Sequence, residues 1–252
     1  MIRLLSRRPC GAGFILLPSR ELYPGREMKT FLQIVQDVYR EGGISGQINS
    51  VQNQTGEALR VVKWVQEAYR EICNADQYQL YFLRGEVTVQ LTPGKAVYTK
   101  DDLNLPLLGQ WDTRSMRVSL NANKHDETFV FNMRWPEFRD YWLFSSRRDT
   151  FSRPLNCSVD ENTHLRIAPV PDAPYYLSFQ QIIVPPDLID SDDVPIIPDR
   201  WQMAIVWRAL RHYGMYESAP EVVMRADSAY NEIMLRMTLD QSPEIVVGGP
   251  LC

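Results

Sequence analysis

The stretch GEVTVQLTPGKAVYT at residues 85–99 is where the chain changes its periodicity. Val87, Val89 and Leu91 alternate with polar neighbours, the spacing of a strand with one buried face, and Pro93-Gly94 has the chemistry of a type II turn. Residues 96–99 then read as the returning strand of a hairpin. Upstream the period is helical: Phe31, Leu32, Val35, Val38 and Tyr39 recur on one face in a helix that opens at Met28, and Gly42-Gly43 ends it. A polar loop over 44–54 leads to Thr55, a candidate N-cap with Glu57 suited to the helix dipole. Ala58, Val61, Val62, Val65, Ala68, Tyr69 and Ile72 form the next stripe, so the first two helices are expected to be an antiparallel pair.

Downstream of the turn the period of two persists. Met116, Val118 and Leu120 alternate, as do Phe129, Phe131 and Met133, and Trp135-Pro136 opens a short helical turn through Phe138 and Trp142. Residues 165–168 and 175–184 are expected to pair antiparallel across 169–174. Pro185-Pro186 and an acidic stretch over 187–194 return the chain to helix. Residues 198–213, with Trp201, Met203, Ile205, Val206, Trp207 and Leu210, are apolar on nearly all sides, the mark of a helix buried in a bundle or an assembly. Ser218 and Glu221 have capping-box spacing, and Val222, Val223, Ala226, Tyr230, Ile233, Met234 and Met237 make the last stripe.

The expected fold class is therefore α+β. N- and C-terminal helices form a helical bundle, with an antiparallel β module inserted between them and an extended C-terminal tail. The divisions are a leader over 1–27, a helical pair over 28–84, the β module over 85–186, a linker and C-terminal helices over 187–242, and the tail over 243–252. The leader holds five arginines and two glutamates, a charge of +3 against −4 for all 252 residues, which leaves −7 for 28–252. Its apolar run over 14–17 is too short for the core of a signal peptide. Met28 is the expected natural start, with 1–27 over-translated or disordered; Gly25-Arg26-Glu27 suits a purine-rich ribosome-binding stretch ahead of it.

The composition, 44% hydrophobic and 23% charged, excludes collagen, long disorder and a simple coiled coil. No apolar run approaches eighteen residues, so no membrane helix is expected. Chemistry is sparse. Cys10, Cys73, Cys157 and Cys252 have no metal or redox spacing and read as unconnected thiols. His125, His164 and His212 stand far apart in sequence. Gly43-Ile44-Ser45-Gly46 lacks nucleophile-elbow spacing, and Gly94-Lys95 lacks the rest of a phosphate loop. Asp187, Asp190, Asp192 and Asp193 suggest a calcium loop only until its sixth position, Asp192, and its twelfth, Pro198, are read; a solvated acidic linker fits better. No catalytic, cofactor or metal residues are expected, and the chain is not expected to be an enzyme.

Arg134, Arg139, Arg147, Arg148 and Arg153 are interleaved with Phe138, Tyr141, Trp142, Phe144 and Phe151. With three acidic residues among them the local charge is only +2, poor for duplex binding, so the arginines read as the rim of an aromatic packing or a subunit contact. The tail over 243–252 carries Ile245, Val246 and Val247, β-branched residues suited to docking extended on a neighbour. Pro243, Glu244, Ile245, Val246, Val247 and Leu251 are the expected partner-binding residues.

Several runs carry a resemblance. MKTFLQIVQDV at 28–38, GGISG at 42–46 and TGEALRVVKW at 55–64 look like the opening of tailed-bacteriophage adaptor, or head–tail connector, proteins. IPDRW at 197–201, AIVWRAL at 204–210 and YGMYESAPE at 213–221 resemble the same family, so the likeness spans about 28–251. It implies a structural virion protein without cofactor: a ring, commonly a dodecamer, beneath the portal protein at the neck. Such a ring extends the DNA channel, with DNA as a passing occupant, and offers a platform to the tail or stopper protein. It is assembled in the host cytoplasm. Alternatives are another neck or tail component, a stopper or tail terminator, and a DNA-binding packaging factor working through 134–153.

Overall fold

The computed structural model describes residues 28–75, 80–144 and 146–241. The chain is mixed α+β and divides into two compact units, a β unit over 85–183 and a helical unit built from the segments on either side of it.

In the helical unit, α1 (Phe31–Gly42) begins three residues later than its apolar pattern implies, because Thr30 caps it. The Gln33 N–H donates to Thr30 Oγ1 at 3.4 Å, and the Thr30 N–H donates to Gln33 Oε1 at 2.9 Å. The two donors this box leaves over are met from far along the chain: Phe31 N–H reaches the Asp193 carbonyl at 2.7 Å and Leu32 N–H that of Ser191 at 3.1 Å. The stretch over 187–194 is thus tied to α1 as a strap through its backbone, while its Asp187, Asp190 and Asp192 side chains are exposed, as in a solvated acidic stretch. Leu188 is buried under it, and Asp193 Oδ2 accepts from the Ile189 and Asp190 N–H groups at 2.6 and 2.7 Å.

Gly43, at φ 63°, closes α1 with a left-handed cap: its N–H donates to Arg40 O, and Ile44 N–H donates to Tyr39 O. The loop that follows is not merely polar, since Ile44, Ile48 and Val51 are buried in the helical core. α2 (Gly56–Ala75) starts directly after Thr55, whose carbonyl accepts from Leu59 N–H.

α3 (Trp135–Phe138) is a short helix within the β unit. In the helical unit α4 (Met203–Tyr216) packs against α1, α2 and α5 (Pro220–Gln241), which explains its all-round apolar sequence. Its cover is internal to the chain, so its composition is not in itself a sign of assembly. A Cβ on Gly42 would stand 2.8 Å from Leu210, which sets how closely α1 meets α4. The arginines of α4 are paired: Arg208 with Glu71 on α2, and Arg211 with Asp227 on α5 at 2.9 Å. Ser218 sits at φ 54°, left-handed and so unable to serve as an N-cap; the turn into α5 places Ala219 before Pro220 instead.

The β unit has two four-stranded sheets, with orders β1-β8-β3-β4 and β2-β7-β6-β5. Their strands are β1 (Arg84–Gln90), β2 (Val97–Tyr98), β3 (Leu108–Ser119), β4 (Thr128–Phe129), β5 (Phe131–Asn132), β6 (Asn156–Val159), β7 (Leu165–Ala168) and β8 (Tyr176–Ile183). Met116, Val118, Leu177 and Phe179 from one sheet share a single core with Tyr98, Cys157, Leu165 and Ile167 from the other.

Two expected pairings are corrected. β1 and β2 do not form a hairpin: the turn at 92–95 exists, with Gly94 at φ 79° and Lys95 N–H to Thr92 O at 3.1 Å, but β2 pairs with β7 in the other sheet. A type II turn does not match the twist of two hairpin strands and splays them. Likewise β7 and β8 lie in different sheets; β7 pairs with β6 and β8 with β3. β6, only four residues long, is not among the expected strands, and its pairing with β5 is parallel.

Asp160 organises the β6–β7 turn. Its carboxylate accepts from the His164 and Asn162 N–H groups, each at 2.9 Å, and from Arg166 at 2.8 Å. Burial works to raise its pKa, but the His164, Arg166 and Asn162 bonds together overcome that and hold it below the usual value.

Two expectations follow. Gly43→Ala should cost about 1 kcal/mol in a denaturant titration, a purely conformational loss because nothing lies within 4 Å of the added carbon. A depressed carboxyl stabilises the fold at neutral pH and ceases to do so as pH falls below about 4 through its folded pKa. Asp160→Asn should therefore lower the melting temperature at pH 7 and lower it much less near pH 3.

Candidate interaction surfaces

Catalytic groups do not converge among the described residues. His125 is in a polar turn, His164 is 3.6 Å from Asp160, and His212 is 3.7 Å from Glu71 in the helical unit. Cys73 and Cys157 are free and buried, and burial pushes both thiols up to about 12, which keeps them protonated and unreactive. Among the described residues no helix is long and apolar enough to cross a membrane.

Apolar surface, by contrast, is abundant and ordered. The inward stripe of α5 matches its sequence pattern: Ala226 and Met237 are buried, and Val222, Val223, Tyr230, Ile233 and Met234 are half-buried. A second stripe was missed. Met224, Leu235 and Leu239 are 68, 63 and 70% exposed, and their spacing places them on one outer face of the helix with Ser228 and Asn231 between them. The signal was present in the sequence: three large apolar residues fall outside the stripe that the core accounts for.

In the β unit the surprise is one of phase. Phe129 and Phe131 share a face, but it is the outer one, and Phe131 is 67% exposed while Val130 is buried. The chain changes sheets there. β4 pairs with β3 and β5 with β6, and Val130 between them donates its N–H to Met116 O at 3.0 Å and enters the core. Tyr141, Phe144 and Phe151 are also exposed.

The interleaved arginines divide. Arg153 is internal, donating to Val118 O at 2.7 Å and pairing with Asp126 at 3.3 Å. Arg147 and Arg139 lie against surface rings, 4.1 Å from Tyr141 and 5.8 Å from Phe144, and Arg117 lies 4.5 Å from Phe129. Aromatic side chains backed by arginine are the composition of protein interfaces. The tail residues Pro243, Glu244, Ile245, Val246, Val247 and Leu251 lie outside the described residues.

Among the described residues, then, the ordered features outside the cores are apolar and aromatic side chains on the surface of each unit. The chain matches the family model of the SU10 adaptor protein over residues 29–247, and it belongs to that family, a tailed-bacteriophage adaptor family. No curated protein matches the chain closely enough to count as a relative.

The outer stripe of α5 contributes nothing to the described cores. Leu235→Gln should change stability by less than about 0.5 kcal/mol. Leu210→Ala, in the fully buried centre of α4, should cost about 3 kcal/mol in the same denaturant titration.

Proposed function

We propose that this adaptor is a virion component of the phage neck. It forms a ring, commonly twelve copies, beneath the portal protein, extends the DNA channel, and joins the capsid to the tail or stopper protein. The observation that carries the proposal is the family match across 29–247. Exposed Met224, Leu235 and Leu239 support it, since an isolated chain gains nothing from leaving such a stripe in water. The −7 charge of residues 28–252 suits a channel that DNA passes through, because an acidic wall repels phosphate. Assembly takes place in the host cytoplasm.

The portal contact is assigned to the end of α5 and the residues that follow it, Pro243, Glu244, Ile245, Val246, Val247 and Leu251. Nothing in the chemistry calls for a cofactor or a catalytic step. A stopper or tail terminator would bind on the tail side instead.

Native mass spectrometry of the chain mixed with the portal protein of the same phage tests this. The expected result is a defined complex with one adaptor per portal subunit, lost when the chain is ended at residue 242 while its circular dichroism is unchanged. Binding to tail tube and not to portal would move the protein to the tail side. Undiminished portal binding by the shortened chain would remove the tail from the contact.

A further inference from the structure

Each unit carries one half of a knob-and-socket pair. The socket is in the β unit, a cavity of about 80 Å³ walled by Phe138, Trp142 and Ile167 and rimmed by Arg147, Arg148 and Arg166. That volume holds the end of one aliphatic side chain and falls far short of a small-molecule site, which needs about 300 Å³ or more. The rim is held in place: Arg147 lies against Tyr141, and Arg166 is fixed by Asp160. Trp142 Nε1, in the wall, is buried with no acceptor among the described residues.

The knob is in the helical unit. Ile189 is 62% exposed at the tip of the strap over 187–194, and both of its backbone polar groups are hydrogen-bonded. The Ile189 N–H is bonded to Asp193, and its carbonyl accepts from Gln52 Nε2 at 2.9 Å. Asp187, Asp190 and Asp192 lie within three residues of it and are all exposed; Asp187 is paired with Arg70 at 2.9 Å and Asp190 accepts from Gln52 Nε2 at 2.8 Å, so Asp192 and the other oxygen of Asp190 carry the charge. A branched apolar tip flanked by carboxylates and left in water matches in size and charge an apolar cavity with guanidinium groups among its lining.

We infer that Ile189 of one copy seats in the Phe138–Trp142–Ile167 cavity of the next, with Asp190 and Asp192 against Arg147 and Arg148. Knob and socket are different surfaces, so the contact is head-to-tail, and repetition gives a closed ring or an open chain. The inference rests on the ring proposed above and names the contact that builds it.

The test uses the full chain, alone and with portal protein, and scores copies per complex by sedimentation and native mass spectrometry at low salt. Wild-type chain should self-associate. Ile189→Asp and Arg148→Glu should each weaken that association about tenfold or more, with melting curves unchanged. Combining Arg148→Glu with Asp192→Arg should restore much of the loss, because the charges are exchanged across the contact. Variants that assemble as wild type, alone and on portal, would overturn this contact and leave the ring proposal standing. A wild-type chain that stays monomeric in both conditions would overturn both.

Discussion

From Trp201 to Gly214 no residue is exposed, and the helical unit is organised by the need to cover this one segment. A helix without a polar face requires neighbours on every side. α1 and α2 come from before the β unit and α5 from after it, so the core cannot close until both ends of the chain are present. Gln202, fully buried at the start of α4, spends its amide on the same join: it accepts from Lys29 N–H at 3.0 Å and donates to Ile197 O at 3.1 Å. The strap from Ser191 and Asp193 to the first N–H groups of α1 adds a backbone tie between segments about 160 residues apart. Unmet donors at a buried helix end would cost about 1–3 kcal/mol each, which gives this acidic stretch a structural reason to be ordered.

The β unit follows from a second constraint, the geometry of its turns. A type II turn at Pro93-Gly94 sends β1 and β2 into different sheets, and Val130 carries the chain from one sheet to the other between β4 and β5. The consequence is a core shared by two sheets, and a set of aromatic residues left outside it. Once Val130 points inward, period two obliges Phe129 and Phe131 to point outward. The exposed rings are therefore a product of the sheet change, and their neighbouring arginines give that surface the character of a contact.

Burial separates the parts of the chain that make the fold from those that make contacts. The same helix α5 serves both ends: Ala226 and Met237 face the core, and Met224, Leu235 and Leu239 face water. The strap does likewise, with Leu188 buried and Ile189 exposed beside it. Adjacent residues of similar character thus lie on opposite sides of the surface.

Much of this was legible in the sequence. The α+β class, the helical stripes, the period change at Gly85 and the stop at Gly42-Gly43 follow from local pattern, because period, caps and turn residues act within a few positions of themselves. Local pattern could not say which strands pair. Alternation in β7 and β8 is the same whether they pair with each other or with β6 and β3, and β6, spelled Asn156-Cys157-Ser158-Val159, alternates over only four residues, too few to mark a strand by pattern. Nor could it say that the Asp-rich stretch would cap a helix distant in sequence, or which of two apolar residues faces out. Those outcomes depend on long-range packing and on which backbone groups lack partners, quantities that exist only once the chain has folded.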